Sequence, residues 1–479
     1  MAKMNFWKSS FGYLFGGILA ALLTYFLTDG LLDTAARGAI SIGVLMVIWW
    51  VSEALPMPVV ALLPLVAFPI LKIAKTDVVA ASYANPAIYL FFGGFMLGLA
   101  IEKWNLHKRI ALSIIHATGT SGNKIVLGFI LATGFLSMWL SNTATTMMMY
   151  PIAMSVISVM EHKSDSGNTK NLALTLMLAL AYASNFGGIA TIIGTPPNVA
   201  YAGFFMEKYG VELDFFKWFM LCAPISVLLL ISLYWIMVKW LFPSNIQHSE
   251  DAAAYVATEK KNLGPIGKSE GRVLMVFVFT AMLWIFRAVI NDLQSFVKLD
   301  DTIIAVIAAI VLFIVPSEKK GHALLDWQDT SRMAWGILLL FGGGIALADA
   351  LESTGMIQKM GSWLAGFGNN TLLLVFLVIV FSLFIGEFMS NIAQVIVFAP
   401  LVSAMADSLA LNPIMLGIPM TLAASCAGMM PMATPPNAIV FASGHIRFKD
   451  MVLTGFVMNI IAIGLIMIFS WFVLPLIWL

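Results

Sequence analysis

Long apolar runs alternate along this chain with short charged connections. Phe11 to Thr28, Gly38 to Val51, Val273 to Ile285, Thr302 to Val315 and Met451 to Leu479 carry no charged residue. A spanning helix needs about 20 mostly apolar residues, so the pattern predicts roughly eleven membrane spans. Two runs have a different length. Residues 125 to 160 and 171 to 206 are each uncharged over 36 positions, too long for one untilted helix and short of two complete crossings. Ser141-Asn142-Thr143 lies near the middle of the first run, which predicts a hairpin of two shortened helices with these residues at its tip, deep in the bilayer. Gly194-Thr195-Pro196-Pro197 lies past the middle of the second. Consecutive prolines cannot continue a helix, because each lacks an N–H and its ring clashes with the preceding turn, so a break is predicted there.

The same landmarks recur in the second half. Ser141-Asn142-Thr143-Ala144 with Pro151 is matched by Ser390-Asn391-Ile392-Ala393 with Pro400, displaced by 249 residues. Phe92-Gly93-Gly94 and Phe341-Gly342-Gly343 share that displacement, while Gly194-Thr195-Pro196-Pro197-Asn198 and Ala433-Thr434-Pro435-Pro436-Asn437 are 239 apart. Three landmarks in one order mark a duplication, and a duplicated membrane chain suggests a transporter. The expected organisation is a first half over 1–240, with a hairpin at about 125–160 and a broken helix at about 171–206. A polar linker over 241–271 follows. The second half, 272–479, has a hairpin at about 372–406 and a broken helix at about 411–444. The glycines of the Phe-Gly-Gly landmarks are expected to serve close helix packing.

Broken backbone at membrane depth is tolerated only where it meets protein or a watery cavity, so the four breaks are candidate binding sites. Ser, Thr and Asn supply hydroxyl and amide donors, and helix N-termini supply N–H groups at a positive dipole end; both suit a carboxylate. Their oxygens also suit a hard cation. None of the four motifs contains Lys or Arg, so a dianion in a low-dielectric cavity would need accompanying cations, which sodium would supply. Glu387, four residues before Asn391, is an acid in an otherwise apolar run; a cation or proton site and a structural pairing are both open for it. Glu53 is expected near an interface.

Composition agrees with the membrane reading. The chain is 60% hydrophobic and 11% charged, with a mean hydropathy of +0.93, against about 25% charged in soluble domains. A net charge of +1 excludes a polybasic nucleic-acid binder. Cys222 and Cys426 are its two cysteines and indicate neither a disulfide framework nor a Cys-rich metal site. Lys3 and Lys8 before an apolar run are read as the start of a first membrane helix rather than a cleaved signal.

These motifs, with Ser-Glu-Ala-Leu-Pro at 52–56, Ser141 to Thr146, Gly194 to Asn198 and Met432 to Asn437, make the chain resemble the divalent anion/sodium symporters, the INDY-type dicarboxylate and citrate transporters. The resemblance spans almost the whole chain. It implies an all-α polytopic protein with two inverted repeats, two re-entrant hairpins, a scaffold domain and a transport domain that moves as an elevator. It also implies a homodimer in lipid, multi-pass in the cell (inner) membrane, taking up carboxylates such as succinate, malate, fumarate or 2-oxoglutarate with sodium as coupling ion.

By position, the resemblance assigns substrate binding to Ser141, Asn142, Thr143, Thr195, Ser390, Asn391, Thr434 and Pro435. It assigns a first sodium site to Ser137, Ser141, Asn142 and Gly194, and a second to Gly386, Asn391 and Ala433. The family often has Thr where this chain has Gly386, and Thr also recurs where this chain has Ile392 and Gln394. Loss of those hydroxyls leaves sodium-independent exchange of dicarboxylates open beside symport.

Two other classes fit less well. Gly119-Thr120-Ser121-Gly122 has the pattern of a rhomboid-like serine protease, but a serine nucleophile needs a base, and none of the six histidines sits mid-way along an apolar segment. A channel would use the same polar residues yet needs weak sites on an open path, whereas the paired halves favour alternating access.

Overall fold

The computed structural model describes residues 2–119, 122–161, 167–243, 250–294, 296–356 and 370–478. Thr120 and Ser121 of the protease-like motif lie outside the described residues, as do linker residues 244–249. The regular elements described are helices, with one isolated bridge between Pro316 and Ala323. Against the roughly eleven spans expected, eight described helices have the length and apolarity of a crossing. Much of the other apolar sequence forms helices of 10–17 residues, among them Met57–Ile70, Asp301–Ile314, Thr371–Gly386 and Ile414–Cys426. Prolines at 58, 64 and 69 shorten the first of these. Turns at polar motifs end the outer hairpin arms at 16 residues each, whereas the inner arms, Asn142–Glu161 and Asn391–Ser408, keep the length of a crossing, against the expectation of two shortened helices.

The chain forms two compact units, each drawing on both halves of the sequence. One comprises Met1–Tyr89, Val199–Leu213 and Ala334–Ala424. Its central helix, Trp335–Ser353, packs on Thr34–Val51, Met57–Val60, Leu63–Ile70, Thr76–Ser82 and Asn391–Ser408. Such packing needs close backbone approach. A Cβ at Gly343 would collide with the carbonyl of Ala61. Polar pairs gather along this unit: the Ser82 hydroxyl donates to Asp349 (2.9 Å), Asn85 donates to Glu207 (2.6 Å), and Lys208 pairs with Asp407 (2.8 Å).

The other unit comprises Leu90–Asn198, Asp214–Met333 and Ser425–Leu479. At its centre Gly167–Gly188 packs against Gly122–Ser137, Asn142–Glu161, Phe215–Trp235 and Pro435–Phe441. Every residue from Leu172 to Thr195, through the helix and the irregular chain after it, is buried, as expected of an element covered on every side. Lys268–Leu293 is the opposite case: only 17% of its most apolar window is buried, so the described chain leaves most of its surface uncovered. Its one central charge, Arg287, is paired with Asp214 and with Asp301 at 3.0 Å, as membrane-embedded charge requires. Beyond the linker residues that lie outside the description, Glu250–Asn262 is helical and packs on Leu106–Thr118 and Asn142–Glu161. Arg109 fastens the chain after it, bonding the Gly264 carbonyl (2.9 Å) and the Glu270 carboxylate (2.5 Å).

Glycine spacing in this unit gives a direct test. A Cβ at Gly93 would fall against the Ala305 carbonyl, whereas at Gly464 nothing lies within 4 Å. Gly93→Ala is expected to destabilise by about 1–3 kcal/mol through overpacking, and Gly464→Ala to be neutral or stabilising by about 0.5–1 kcal/mol. Thermal unfolding midpoints of the detergent-solubilised variants check the contrast; equal shifts would refute the packing argument.

Candidate functional site

The first Ser-Asn motif forms a four-residue turn. The outer arm, Gly122–Ser137, stops at Ser137, and the inner arm, Asn142–Glu161, restarts at Asn142. Ser141 caps the inner arm: its hydroxyl accepts from the Ala144 N–H at 3.2 Å, the bond a helix N-cap provides. The outer arm therefore presents its carbonyl end, at Ser137 and Met138, close to the inner arm's N–H end. Partial negative and partial positive charge meet within one turn. Ser141, Asn142 and Thr143 are half-buried, with Thr145 and Thr146 fully buried behind them.

The helix Gly167–Gly188 ends beside this turn, and the chain runs irregularly through 189–195 before Pro196–Tyr209 begins. Each part of that break has a partner. The Thr191 hydroxyl donates to the Met138 carbonyl (2.5 Å) and accepts from the Gly194 N–H (3.0 Å). The Asn198 amide donates to the carbonyls of Thr191 (2.8 Å), Gly188 (3.4 Å) and Ile189 (3.5 Å). Trp218 donates to the Ile189 carbonyl from outside (3.1 Å).

The second Pro-Pro break lies in the same unit and is held in the same way. Thr434 caps Pro435–Phe441, its hydroxyl accepting from the Asn437 N–H at 3.3 Å. The Asn437 amide donates to the carbonyls of Gly428 (3.3 Å) and Met430 (3.1 Å), and Tyr182 donates to Gly428 as well (2.8 Å). The terminal asparagine of each Thr-Pro-Pro-Asn motif thus ties down the irregular chain that precedes it. Thr434 is buried and Pro435 exposed.

Two features fit a cation at the first turn. The Ser137 hydroxyl donates to Asn142 Oδ1 at 2.7 Å, so two side-chain oxygens adjoin. A Cβ at Gly194 would sit 3.0 Å from both the Ser137 and Met138 carbonyl oxygens and would collide with that of Gly188, so only glycine leaves these oxygens open. Hydroxyl, amide and carbonyl oxygens without a thiol or imidazole are a hard donor set, suited to sodium rather than to a transition metal. None of these side chains titrates near neutral pH.

The second Ser-Asn motif lies in the other unit. Its outer arm, Thr371–Gly386, and inner arm, Asn391–Ser408, again enclose a four-residue turn, 249 residues on. Here Ser390 makes no side-chain cap bond. Asn391 Oδ1 is buried without a hydrogen-bond partner among the described residues. The cause is readable in the repeat: Gly386 stands where Ser137 supplies a hydroxyl to Asn142. Gln394 donates to both the carbonyl and the hydroxyl of Ser382 (2.6 Å each), joining the two arms. Glu387 is buried within this turn at 1% exposure, and Glu53 is exposed at the end of Thr34–Val51 with a left-handed backbone.

The structure therefore brings Ser137, Ser141, Asn142 and Gly194 together around one turn, with Thr195 following Gly194, and places Ala433, Thr434 and Pro435 at the second break of the same unit. Gly386, Ser390 and Asn391 form their own turn in the other unit. Sequence reasoning quoted Asn198 and Asn437 but gave them no role, and it passed over Thr191 and Asn185. The signal for the first two was a polar side chain closing each Pro-Pro motif; Asn185 and Thr191 belong to no repeated motif.

Broken helices, buried polar turns and repeated motifs in a multi-pass helical protein define the class of secondary membrane transporters. The fold agrees: Neisseria gonorrhoeae MtrF, described within a class of antimetabolite efflux pumps, superposes with a TM-score of 0.56 at 14% identity, covering 81% of this chain and 82% of that one. The Alcanivorax borkumensis YdaH transporter superposes at 0.53 with 11% identity, covering 84% of this chain and 88% of that one. The sodium:sulfate symporter transmembrane region matches residues 8–479, and the chain belongs to that family of divalent anion/sodium symporters. It is 35% identical to the sodium-dependent dicarboxylate transporter SdcS of Staphylococcus saprophyticus, over 97% of this chain and 91% of that protein. The SdcS of Staphylococcus aureus strain USA300 is 34% identical over the same shares.

Removing the Asn198 amide takes away the side-chain partner of the buried Thr191 carbonyl, at about 1–3 kcal/mol. Removing the Asn437 amide loosens the hold on Gly428 and Met430, whose carbonyls keep Tyr182 and the Ala433 N–H. Asn198→Ala and Asn437→Ala are each expected to lower the thermal midpoint and to speed hydrogen exchange in 188–195 and 427–434 respectively. Exchange unchanged in those segments would contradict the role.

Proposed function

We propose that this chain is a sodium-coupled secondary transporter of four- to six-carbon di- and tricarboxylates. The observation that carries the reading is the first turn, where the carbonyl end of one half-helix and the Asn142 oxygen adjoin the N–H end of the next. A cation is favoured at the carbonyl end and a carboxylate at the N–H end, a few ångströms apart. Each ion lowers the cost of burying the other in a site that holds no Lys or Arg. Binding the two together is therefore the favourable state, which is the basis of symport. The relatives' description as sodium-dependent dicarboxylate transporters supports the same substrate class and coupling ion.

In this reading Ser137, Ser141, Asn142 and Gly194 hold sodium through side-chain and carbonyl oxygens. Asn142, Thr143, Thr195 and Thr434 donate hydrogen bonds to carboxylate oxygens, with Ser141 and Pro435 beside them. Ser390 and Asn391, as repeat equivalents of Ser141 and Asn142, are assigned the same chemistry. The homodimer in lipid and the elevator-type movement belong to the same proposal. A second reading, sodium-independent exchange of one dicarboxylate for another, is favoured by one observation: Gly386 supplies no hydroxyl and leaves Asn391 Oδ1 without its partner.

Uptake of radiolabelled succinate into proteoliposomes, with and without a sodium gradient and with and without internal dicarboxylate, separates the two. Uptake into empty vesicles that follows the sodium gradient is expected. Uptake only into preloaded vesicles, indifferent to sodium, would replace symport by exchange. Asn142→Ala and Asn391→Ala are each expected to reduce succinate affinity by at least about tenfold, the loss of one or two charge-assisted hydrogen bonds, with normal membrane insertion. Wild-type affinity in both variants would sink the site assignment.

A further inference from the structure

Asn185 occupies a position that neither the repeat nor the motif pattern explains. It is three residues from the end of Gly167–Gly188, 1% exposed, and its amide is engaged at both ends. Its Oδ1 accepts from Asn142 Nδ2 (3.4 Å), while its Nδ2 donates to the Thr434 hydroxyl oxygen (3.2 Å) and to Asn437 Oδ1 (3.5 Å). One side chain therefore joins the turn of the first hairpin to the second Pro-Pro break.

We propose that Asn185 is a positioning residue that transmits cation occupancy at Asn142 to the carboxylate-binding hydroxyl of Thr434; the inference rests on the transport reading above. The chain of bonds has one direction. Asn142 Oδ1 faces the Ser137 hydroxyl and the proposed cation, and the opposite end of the same amide donates to Asn185. A cation at Oδ1 draws electron density from Nδ2–H and strengthens that donation, and hydrogen bonds in series polarise one another. At the far end, the Thr434 oxygen already accepts twice, from Asn185 Nδ2 and from the Asn437 N–H. A hydroxyl has two acceptor positions and one hydrogen. With both acceptor positions filled, Thr434 presents its hydrogen outward as a donor, which a carboxylate requires and a cation would not tolerate. Asn185 thus fixes the sense of the Thr434 hydroxyl as well as its place.

The test is the linkage between sodium and succinate in the purified full-length protein. Sodium binding is read alone, from the shift of the thermal midpoint on titrating sodium chloride against choline chloride. Succinate affinity is then measured at low and high sodium. In the wild type, sodium is expected to tighten succinate binding by about tenfold or more, within the usual range of coupling. Asn185→Leu should keep sodium binding to within about threefold while sodium loses most of its effect on succinate, a change in coupling that simple destabilisation does not produce.

Asn185→Asp, of the same shape, serves if the leucine variant does not fold. Its carboxylate still accepts from Asn142 but draws the Thr434 hydrogen inward, so sodium binding should persist while succinate affinity drops at least tenfold, roughly one strong hydrogen bond. Coupling and succinate affinity at wild-type level in whichever variant folds overturn the inference alone. A wild-type protein indifferent to sodium and succinate overturns the transport reading, and this inference with it.

Discussion

A peptide group that leaves a helix inside a buried, apolar region must find another partner, and the arrangement of this protein's polar side chains follows from that requirement. The breaks at 138–141, 189–195 and 427–434 leave carbonyl and N–H groups without helical partners, the middle one wholly buried and the other two partly so. Asn198 and Asn437 answer the need from one side, Thr191, Trp218 and Tyr182 from others. Their positions make the open oxygens of Ser137, Met138 and Gly188 a consequence of architecture: the carbonyls near Gly194 are held where they cannot relax into a helix. The proposed cation site would need little reorganisation on binding, because its donor geometry is fixed without charged ligands.

The same requirement explains what the sequence made legible. Prolines 196–197 and 435–436 cannot continue a preceding helix and stand in the first turn of Pro196–Tyr209 and Pro435–Phe441, so breaks just ahead of them could be read without coordinates. The length of the uncharged runs pointed to two shortened arms, which describes the outer arm of each hairpin and not the inner one, and the four-residue turns fall at the two Ser-Asn pairs. The span count was less legible, because hydropathy does not distinguish a long crossing from short apolar helices joined by proline turns such as Met57–Val60 and Leu63–Ile70. The division into compact units was not legible either: Val199–Leu213 groups with the segments around 1–89 and 334–424 through packing over long sequence separation, which no local pattern encodes.

Among side chains, the sequence pointed to residues repeated in motifs and missed those that act once. Asn185 is surrounded by Ala183, Ser184 and Phe186 in a run that reads as ordinary buried helix. Only three-dimensional placement shows its amide between Asn142 and Thr434. Gly93 and Gly343 were readable as packing residues because they recur in register, and the carbonyls of Ala305 and Ala61 occupy the space a side chain would need.

Duplication also supplies an internal control for the chemistry. At the first turn a hydroxyl, Ser137, satisfies the asparagine oxygen of the inner arm; at the second, Gly386 leaves the equivalent oxygen of Asn391 buried and unpartnered. A buried acceptor without a partner costs about 1–3 kcal/mol, which a single hydroxyl at position 386 would relieve. Gln394 stitches the two arms at Ser382, yet its own Oε1 is likewise buried without a partner among the described residues, so the second hairpin keeps more than one open acceptor. The two turns then differ in kind: the Asn142 oxygen is held by a hydroxyl of its own hairpin, and the Asn391 oxygen has no such partner among the described residues.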